Sequence, residues 1–334
     1  MKKVVVTGAS GFVAGWVIVE FLKNGYAVKG SLRSMKKAEA IYNNIEKYVS
    51  KSELDNLSFF EADLSSKAGW VEAISDTDGV IHVASPMGHG TESVEELTSV
   101  AKNGVLNVLS SAKEAGVNRV VMTSSQAVST PKNSVGDVTL DESFWTDVNN
   151  PELDPYRISK VRSEEAAWDF AKENNLELTT ILPGAIFGPI MSEQTMSSNG
   201  ILRQILKGLP AIPQVPMEIS DVRDLANLHR LAFESDKAIS QRYLAASQSL
   251  TMLQIAQIYK NKFPNLSITT RVAPNSLVRI TSKFVPGLRA LVPMLDRKYH
   301  HSTELAETDL GWKQHKPAQT VIDSAQSMID LNLL

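Results

Sequence analysis

Tyr156 and Lys160 lie one helical turn apart in the run Pro155-Tyr156-Arg157-Ile158-Ser159-Lys160, and the chain continues as a helical pattern to Asn174. Residues i and i+4 share a helix face, so phenol and ammonium project together. A phenol with a reference pKa of about 10 is a weak acid unless its anion is stabilised. An ammonium about 4 Å away at an effective dielectric near 20 contributes about 4 kcal/mol toward that anion, which makes a proton donor usable near neutrality. Upstream, Ser124-Ser125 follow a strand pattern. Serines at strand ends usually cap turns, but beside a Tyr/Lys pair they supply a hydroxyl that can bind a carbonyl oxygen. A pair of this kind occurs often by chance, and its weight depends on what positions it.

The positioning elements begin at Lys3 to Gly15, KVVVTGASGFVAG. Val4 to Val6 read as a short buried strand, Thr7 to Gly11 as a turn, and Val13, Val17, Phe21 and Leu22 recur at helical spacing. Gly8 permits the tight turn, Gly11 lets a pyrophosphate approach the backbone, and Ala14 lets helix and strand pack closely. Ala27 to Leu32 is a second strand. NAD-specific sites place an acidic residue at its end; this chain has Ser31 and Arg33, with Lys36 and Lys37 beyond, which favours the 2′-phosphate of NADP(H).

Leu57 to Ala62 reads as a third strand, delivering Asp63 and Leu64 where an adenine could be flanked. Gly79 to Ala84 is a fourth, delivering Ser85-Pro86-Met87. Thr98 to Ala115 is a helix, Arg119 to Thr123 a fifth strand and Leu176 to Leu182 a sixth. Strands alternating with helices predict an α/β fold with a doubly wound parallel sheet of Rossmann type. Ile190 to Pro216 shows no period and reads as pocket-shaping loops. Ser220 to Phe233 reads as a helix, Arg242 to Ala246 as a strand, and Met252 to Lys262 and Thr320 to Leu331 as helices.

The 334 residues suffice for one large core or two domains, and 43% hydrophobic residues with a net charge of −3 describe a globular chain without a basic excess. Nucleic acid and acidic membrane are therefore not expected partners. The absence of cysteine excludes disulfides and thiol catalysis. No apolar run has spanning length, and the first strand enters a glycine turn where a signal peptide needs its apolar core, so the default location is cytoplasmic. None of the six histidines has zinc-type spacing with carboxylates; no metal is expected.

On the stretches VTGASGFVAG, GSLRS, HVASP, VVMTSSQAV, DESFWTD, YRISK, ILPGAIFGP, SDVRDLA and DLGW, the chain resembles the extended short-chain dehydrogenase/reductases. Within them it is similar to the dihydroflavonol reductase, cinnamoyl-CoA reductase and aldehyde/ketone reductase branch. The resemblance implies residues 1–183 and 217–248 as dinucleotide-binding domain, and 184–216 and 249–334 as a smaller, mainly C-terminal substrate domain. It implies Tyr156 as proton donor to a carbonyl reduced by nicotinamide, Ser125 (with Ser124 as fallback) on the carbonyl oxygen, and Lys160 reaching the nicotinamide ribose. Cofactor contacts would come from Thr7, Gly8, Ser10, Gly11, Phe12, Val13, Ser31, Arg33, Lys37, Asp63, Leu64, Val83, Ala84, Ser85, Thr123, Pro183, Gly184 and Ile186. Met87, Gln126, Ile190, Met191 and Ile201 would form a mostly apolar substrate wall, suited to a small or medium carbonyl compound with an apolar or aromatic body. Thr130 stands where the flavonoid enzymes carry Asn. The relatives also allow a sugar-nucleotide epimerase or dehydratase, though dehydratases carry an acidic pair where this chain has Ser125-Gln126. A non-catalytic dinucleotide sensor is the remaining alternative, and such proteins lack the Tyr/Lys pair. A monomer or homodimer is expected.

Overall fold

The computed structural model describes residues 1–85, 93–284 and 291–334. Seven strands form its main sheet: β1 Lys3–Val6, β2 Ala27–Leu32, β3 Leu57–Glu61, β4 Gly79–His82, β5 Arg119–Thr123, β6 Glu177–Leu182 and β7 Arg242–Leu244. All are parallel, in the spatial order β7-β6-β5-β4-β1-β2-β3. The order reverses between β1 and β4, and in such sheets the crevice at that reversal, beyond the carboxyl ends of the strands, takes ligands. Val4, Val5 and Val6 are 0% exposed, as a central strand covered on both faces requires.

Helices α1 Phe12–Lys23 and α4 Val222–Glu234 pair on one face; α2 Val94–Glu114 and α3 Pro155–Asn174 pair on the other. The start of α3 is closely specified. Asp154 accepts the Arg157 N–H at 2.8 Å and Pro155 occupies the first turn, where its missing N–H is not needed. Tyr156 and Lys160 thus leave the helix in its first two turns, at the strand-end side of the sheet.

Two expectations change. The predicted helix from Ser220 starts instead at Val222, because Pro216–Asp221 is a strand, the middle member of a small sheet with Ala185–Phe187 and Ser249–Thr251. Residues 217–221, expected with the dinucleotide-binding part, thus pair with two segments expected in the substrate part. The segment predicted to be loop holds a helix, Asn199–Leu206, with Leu202, Ile205 and Leu206 buried. Among the described residues no helix is long and apolar enough to cross a membrane.

Candidate active site

The glycine turn is shaped for a close ligand. Gly8 has φ of +71°, and a Cβ there would stand 2.8 Å from the Cβ of Ala84, so a larger residue is excluded twice. Gly11 donates to the Gly8 carbonyl at 2.8 Å and begins α1 with no side-chain cap and no acidic residue in the first turn. The first-turn N–H groups, those of Phe12 and Val13 among them, are left for an anion. Ser10 and Gly11 are exposed and Val13 half-buried. The cradle fits a dinucleotide pyrophosphate.

Two residues expected to touch the cofactor have hydroxyls engaged in building the turn. Thr7 is 0% exposed, and its hydroxyl accepts the N–H groups of Val83 and Ala84 at 3.0 and 2.9 Å. Ser31 is 3% exposed and accepts the Gly8 N–H at 2.9 Å. Their hydroxyls are spent inside the protein because β1, β2 and β4 have to be tied where the chain turns. Beyond β2, Arg33 and Lys37 are exposed. Asp63 is also exposed, and the hydroxyl and N–H of Ser65, with a smaller contribution from Arg33, hold its carboxyl below the usual carboxylate range. Leu64 is half-buried against Gly104.

At the ends of β4 and β5 the hydroxyls divide by role. Val83, Ala84 and Ser85 are half-buried, and the Lys160 ammonium donates to Ser85 Oγ at 3.0 Å. Thr123 is bonded to His229 Nε2 at 2.7 Å; His229 Nδ1 donates to the Leu225 carbonyl, so Nε2 is the acceptor and the Thr123 hydrogen is committed. Ser124 donates to the buried Glu164 carboxylate. That leaves Ser125. Its Oγ accepts the Ala127 N–H at 3.1 Å, and among the described residues nothing takes its own hydrogen. The hydrogen of the fallback Ser124 is thus committed to Glu164.

Ser125 and Tyr156 line one cleft of about 220 Å³, with Arg157, Met217, Met294 and Arg297 among its other walls. Lys160, 8% exposed, sits below with Nζ 6.0 Å from the centre of the Tyr156 ring. Pro183 and Gly184 also reach the cleft. A Cβ on Gly184 would collide with the Glu218 carbonyl, and its N–H donates to Ser220 Oγ at 3.0 Å. Ile186 is half-buried and packs against the core.

The apolar wall expected for the substrate is mostly elsewhere. Gln126 and Thr130 line the cleft, whereas Ile190 and Met191 are 1% and 4% exposed in the main core. Met191 lies over α1, its sulfur 3.2 Å from where a Gly15 Cβ would be. Ile201 packs on the same core, and Met87 lies outside the described residues. The cleft lining missed from sequence is more polar. Glu218, 3% exposed, accepts from the His301 N–H at 2.9 Å, His301 Nδ1 at 2.6 Å and Arg297 at 2.5 Å, while the Arg297 guanidinium stacks 4.2 Å over Tyr299. Burial pushes the Glu218 carboxyl up, but His301 and Arg297 outweigh it and leave the pKa lowered.

Outside the cleft, the DESFWTD stretch cradles Arg242. The carbonyls of Glu142 and Phe144 accept from its guanidinium at 2.5 and 3.1 Å, and Trp145 lies 3.8 Å beneath it. Arg242 in turn donates to Glu164 at 2.9 Å. Asp221, Asp224 and His315 also converge, but their contacts are internal: Asp221 accepts from Arg223 and Thr320, and Asp224 lies 2.5 Å from His315 Nδ1.

Such a sheet, with a glycine cradle at its reversal and a Ser/Tyr/Lys set at the next strand ends, defines a nucleotide-dependent short-chain dehydrogenase/reductase architecture. Residues 4–246 match the NAD dependent epimerase/dehydratase family, and the chain belongs to it, in the extended short-chain dehydrogenase/reductase group. A cinnamoyl-CoA reductase of Medicago truncatula is 32% identical over 276 residues, covering 81% of this chain and 83% of that one. The yeast methylglyoxal/isovaleraldehyde reductase Gre2, solved with NADPH, superposes with a TM-score of 0.81 at 27% identity, covering 99% of this chain and 100% of that one. Gre2 of Candida albicans with NADPH gives 0.82 at 27% identity, covering 99% of each chain.

Proposed function

We propose that this chain reduces a small or medium aldehyde or ketone to the alcohol with NADPH, and that Tyr156 delivers the proton. The observation that carries the reading is the shared cleft of Ser125, whose hydrogen is free, and Tyr156, with Lys160 one turn along and bonded to Ser85 on the cofactor edge. The Gly8–Gly11 turn and the start of α1 would hold the pyrophosphate, and Arg33 with Lys37 the 2′-phosphate. When bound, the reduced nicotinamide would supply hydride to the carbonyl carbon. Ser125 Oγ–H binds and orients the carbonyl oxygen. Tyr156 Oη gives its proton to that oxygen as negative charge develops, and the Lys160 ammonium stabilises the phenolate left behind.

A cleft of about 220 Å³ is smaller than the roughly 300–1,000 Å³ of sites for drug-sized ligands, which favours a compact substrate over a flavonoid, CoA thioester or nucleotide sugar. Its body would lie against Met217 and Met294. The two-part division, with the substrate side built from 184–216 and 249–334 plus strand Pro216–Asp221, is part of the same proposal. NADPH-oxidation assays over simple aldehydes, α-dicarbonyls, aryl ketones, dihydroflavonols and acyl-CoA thioesters test it. Far higher kcat/KM for dihydroflavonols, or epimerisation of a nucleotide sugar without net NADPH consumption, would overturn it.

A further inference from the structure

His82 ends β4, is 1% exposed and takes no part in the cleft that holds Ser125 and Tyr156. Its tautomer follows from Thr7. With the N–H groups of Val83 and Ala84 both on Thr7 Oγ1, the two lone pairs are used, so the single Thr7 hydrogen spans the 2.9 Å to His82 Nδ1. Nδ1 is therefore an acceptor. Burial, and then the charge of Lys160, push the His82 pKa down to about 3, so the ring is neutral and its proton sits on Nε2. That N–H is buried and has no partner among the described residues, a condition folded chains rarely leave unmet.

Against His82 lies a small, partly open cavity that, among the described residues, shares no wall residue with the cleft of Ser125 and Tyr156. Its polar lining includes Ser85, Ser124, Lys160, Ser163 and Glu164, and it offers about 10 Å³, at the lower end of the roughly 10–15 Å³ that one water needs. The wall hydroxyls have other partners: Ser124 donates to Glu164 and Ser163 to the Ser159 carbonyl at 2.7 Å. Lys160 spends one hydrogen on Ser85 and has two more to place.

We propose that one ordered water fills this cavity, accepting the His82 Nε2–H and one N–H of Lys160, and that His82 thereby positions the Lys160 ammonium. Its consequence for turnover rests on the reading of Tyr156 and Lys160 above. The water's own hydrogens have the Glu164 carboxylate and the Ser124 oxygen in the same wall. With two N–H bonds fixed, on Ser85 and on the water, the ammonium no longer swings freely, and its charge stays near the Tyr156 ring.

Two measurements on the full chain test the site without reference to activity. A high-resolution crystal structure should show a water roughly 2.7–3.2 Å from both His82 Nε2 and Lys160 Nζ, and histidine-selective nitrogen NMR should report the Nε2-protonated tautomer. A dry cavity or an Nδ1-protonated ring overturns the proposal. In kinetics, His82→Leu should lower kcat roughly tenfold with the NADPH Kd little changed, and His82→Gln, whose amide can accept from Thr7 and donate to the water, should recover most of it. Unchanged kcat in His82→Leu overturns the positioning role. If that variant does not fold, the water and tautomer in the unmodified protein decide. A complete lack of NADPH-linked carbonyl reduction would sink the functional reading instead, and would leave both structural measurements able to confirm or refute the water.

Discussion

Gly8 and Ala84 stand so close that a Cβ on residue 8 would approach the Ala84 Cβ to 2.8 Å, joining the first turn of the chain to the end of β4. With φ of +71° at Gly8, Gly8→Ala adds left-handed strain to the collision. The expected result is a loss of about 1–3 kcal/mol in stability and a rise of at least about tenfold in the NADPH Kd. Urea unfolding and fluorescence titration check the two separately.

Arg33 is exposed at the end of β2, where no acidic residue competes for the ribose. Arg33→Ala removes charge-assisted hydrogen bonds worth about 1.5–3 kcal/mol, so the preference for NADPH over NADH should fall by roughly ten- to a hundred-and-fifty-fold. An unchanged ratio of kcat/KM for the two cofactors would contradict the assignment.

On the proposed mechanism, in which the hydroxyl acts only on the substrate oxygen, Tyr156→Phe should lower kcat by roughly a hundred- to ten-thousand-fold while NADPH binding persists. Ser125→Ala should lower kcat as well, if its hydroxyl hydrogen orients the carbonyl as proposed. Ser124→Ala acts on the Glu164 site, so it should shift unfolding more than turnover. Near-normal kcat in Tyr156→Phe would mean another donor.

Glu164 is 0% exposed and answers Arg242, Thr180 and Trp168 at 2.9, 2.9 and 3.2 Å, together with Ser124. Removing one member of a buried ion pair leaves an uncompensated charge, so Glu164→Ala should lose about 3–5 kcal/mol in urea unfolding. The double variant Glu164→Leu/Arg242→Met should lose less than the single one.

Acid should destabilise the fold before most carboxylates titrate. Burial pushes His229 down to about 4 and His82 to about 3, against about 6.5 in the unfolded chain. Between about 6.5 and 4 the unfolded state binds the extra protons, so stability is intact above about 6.5 and falls with pH. Each histidine contributes a slope of about 1.4 kcal/mol per pH unit. His229→Gln should flatten that slope in unfolding midpoints measured across this window.

The elements legible in the sequence were those written in local pattern. Val4 to Val6, the helix Met252–Lys262 and the Tyr156/Lys160 face all follow from spacing within a few residues, and the structure places each accordingly. That the hydroxyls of Thr7 and Ser31 are engaged inside the protein could not be read locally, because their partners, Ala84 and Gly8, follow other strands in the chain. Ile190 and Met191 lie in a segment without period, where nothing local distinguishes core from cleft. Arg297 and Tyr299 reach the cleft from the far end of the chain, through Glu218 and a short strand pairing of His300–His301 with Thr139–Leu140. No nearby pattern announces that.

The Glu164–Arg242 bond spans 78 residues, and it sets an order of events on the ribosome. Glu164 emerges while the strand that carries its cation is still unmade, so a nascent chain that has completed α3 cannot bury that carboxylate against its partner. Burial of Glu164 against its cation therefore waits until residues 184–241 have been synthesised. Translation arrest short of Arg242 should leave the α3 face of the sheet open to protease, and arrest beyond Leu244 should not.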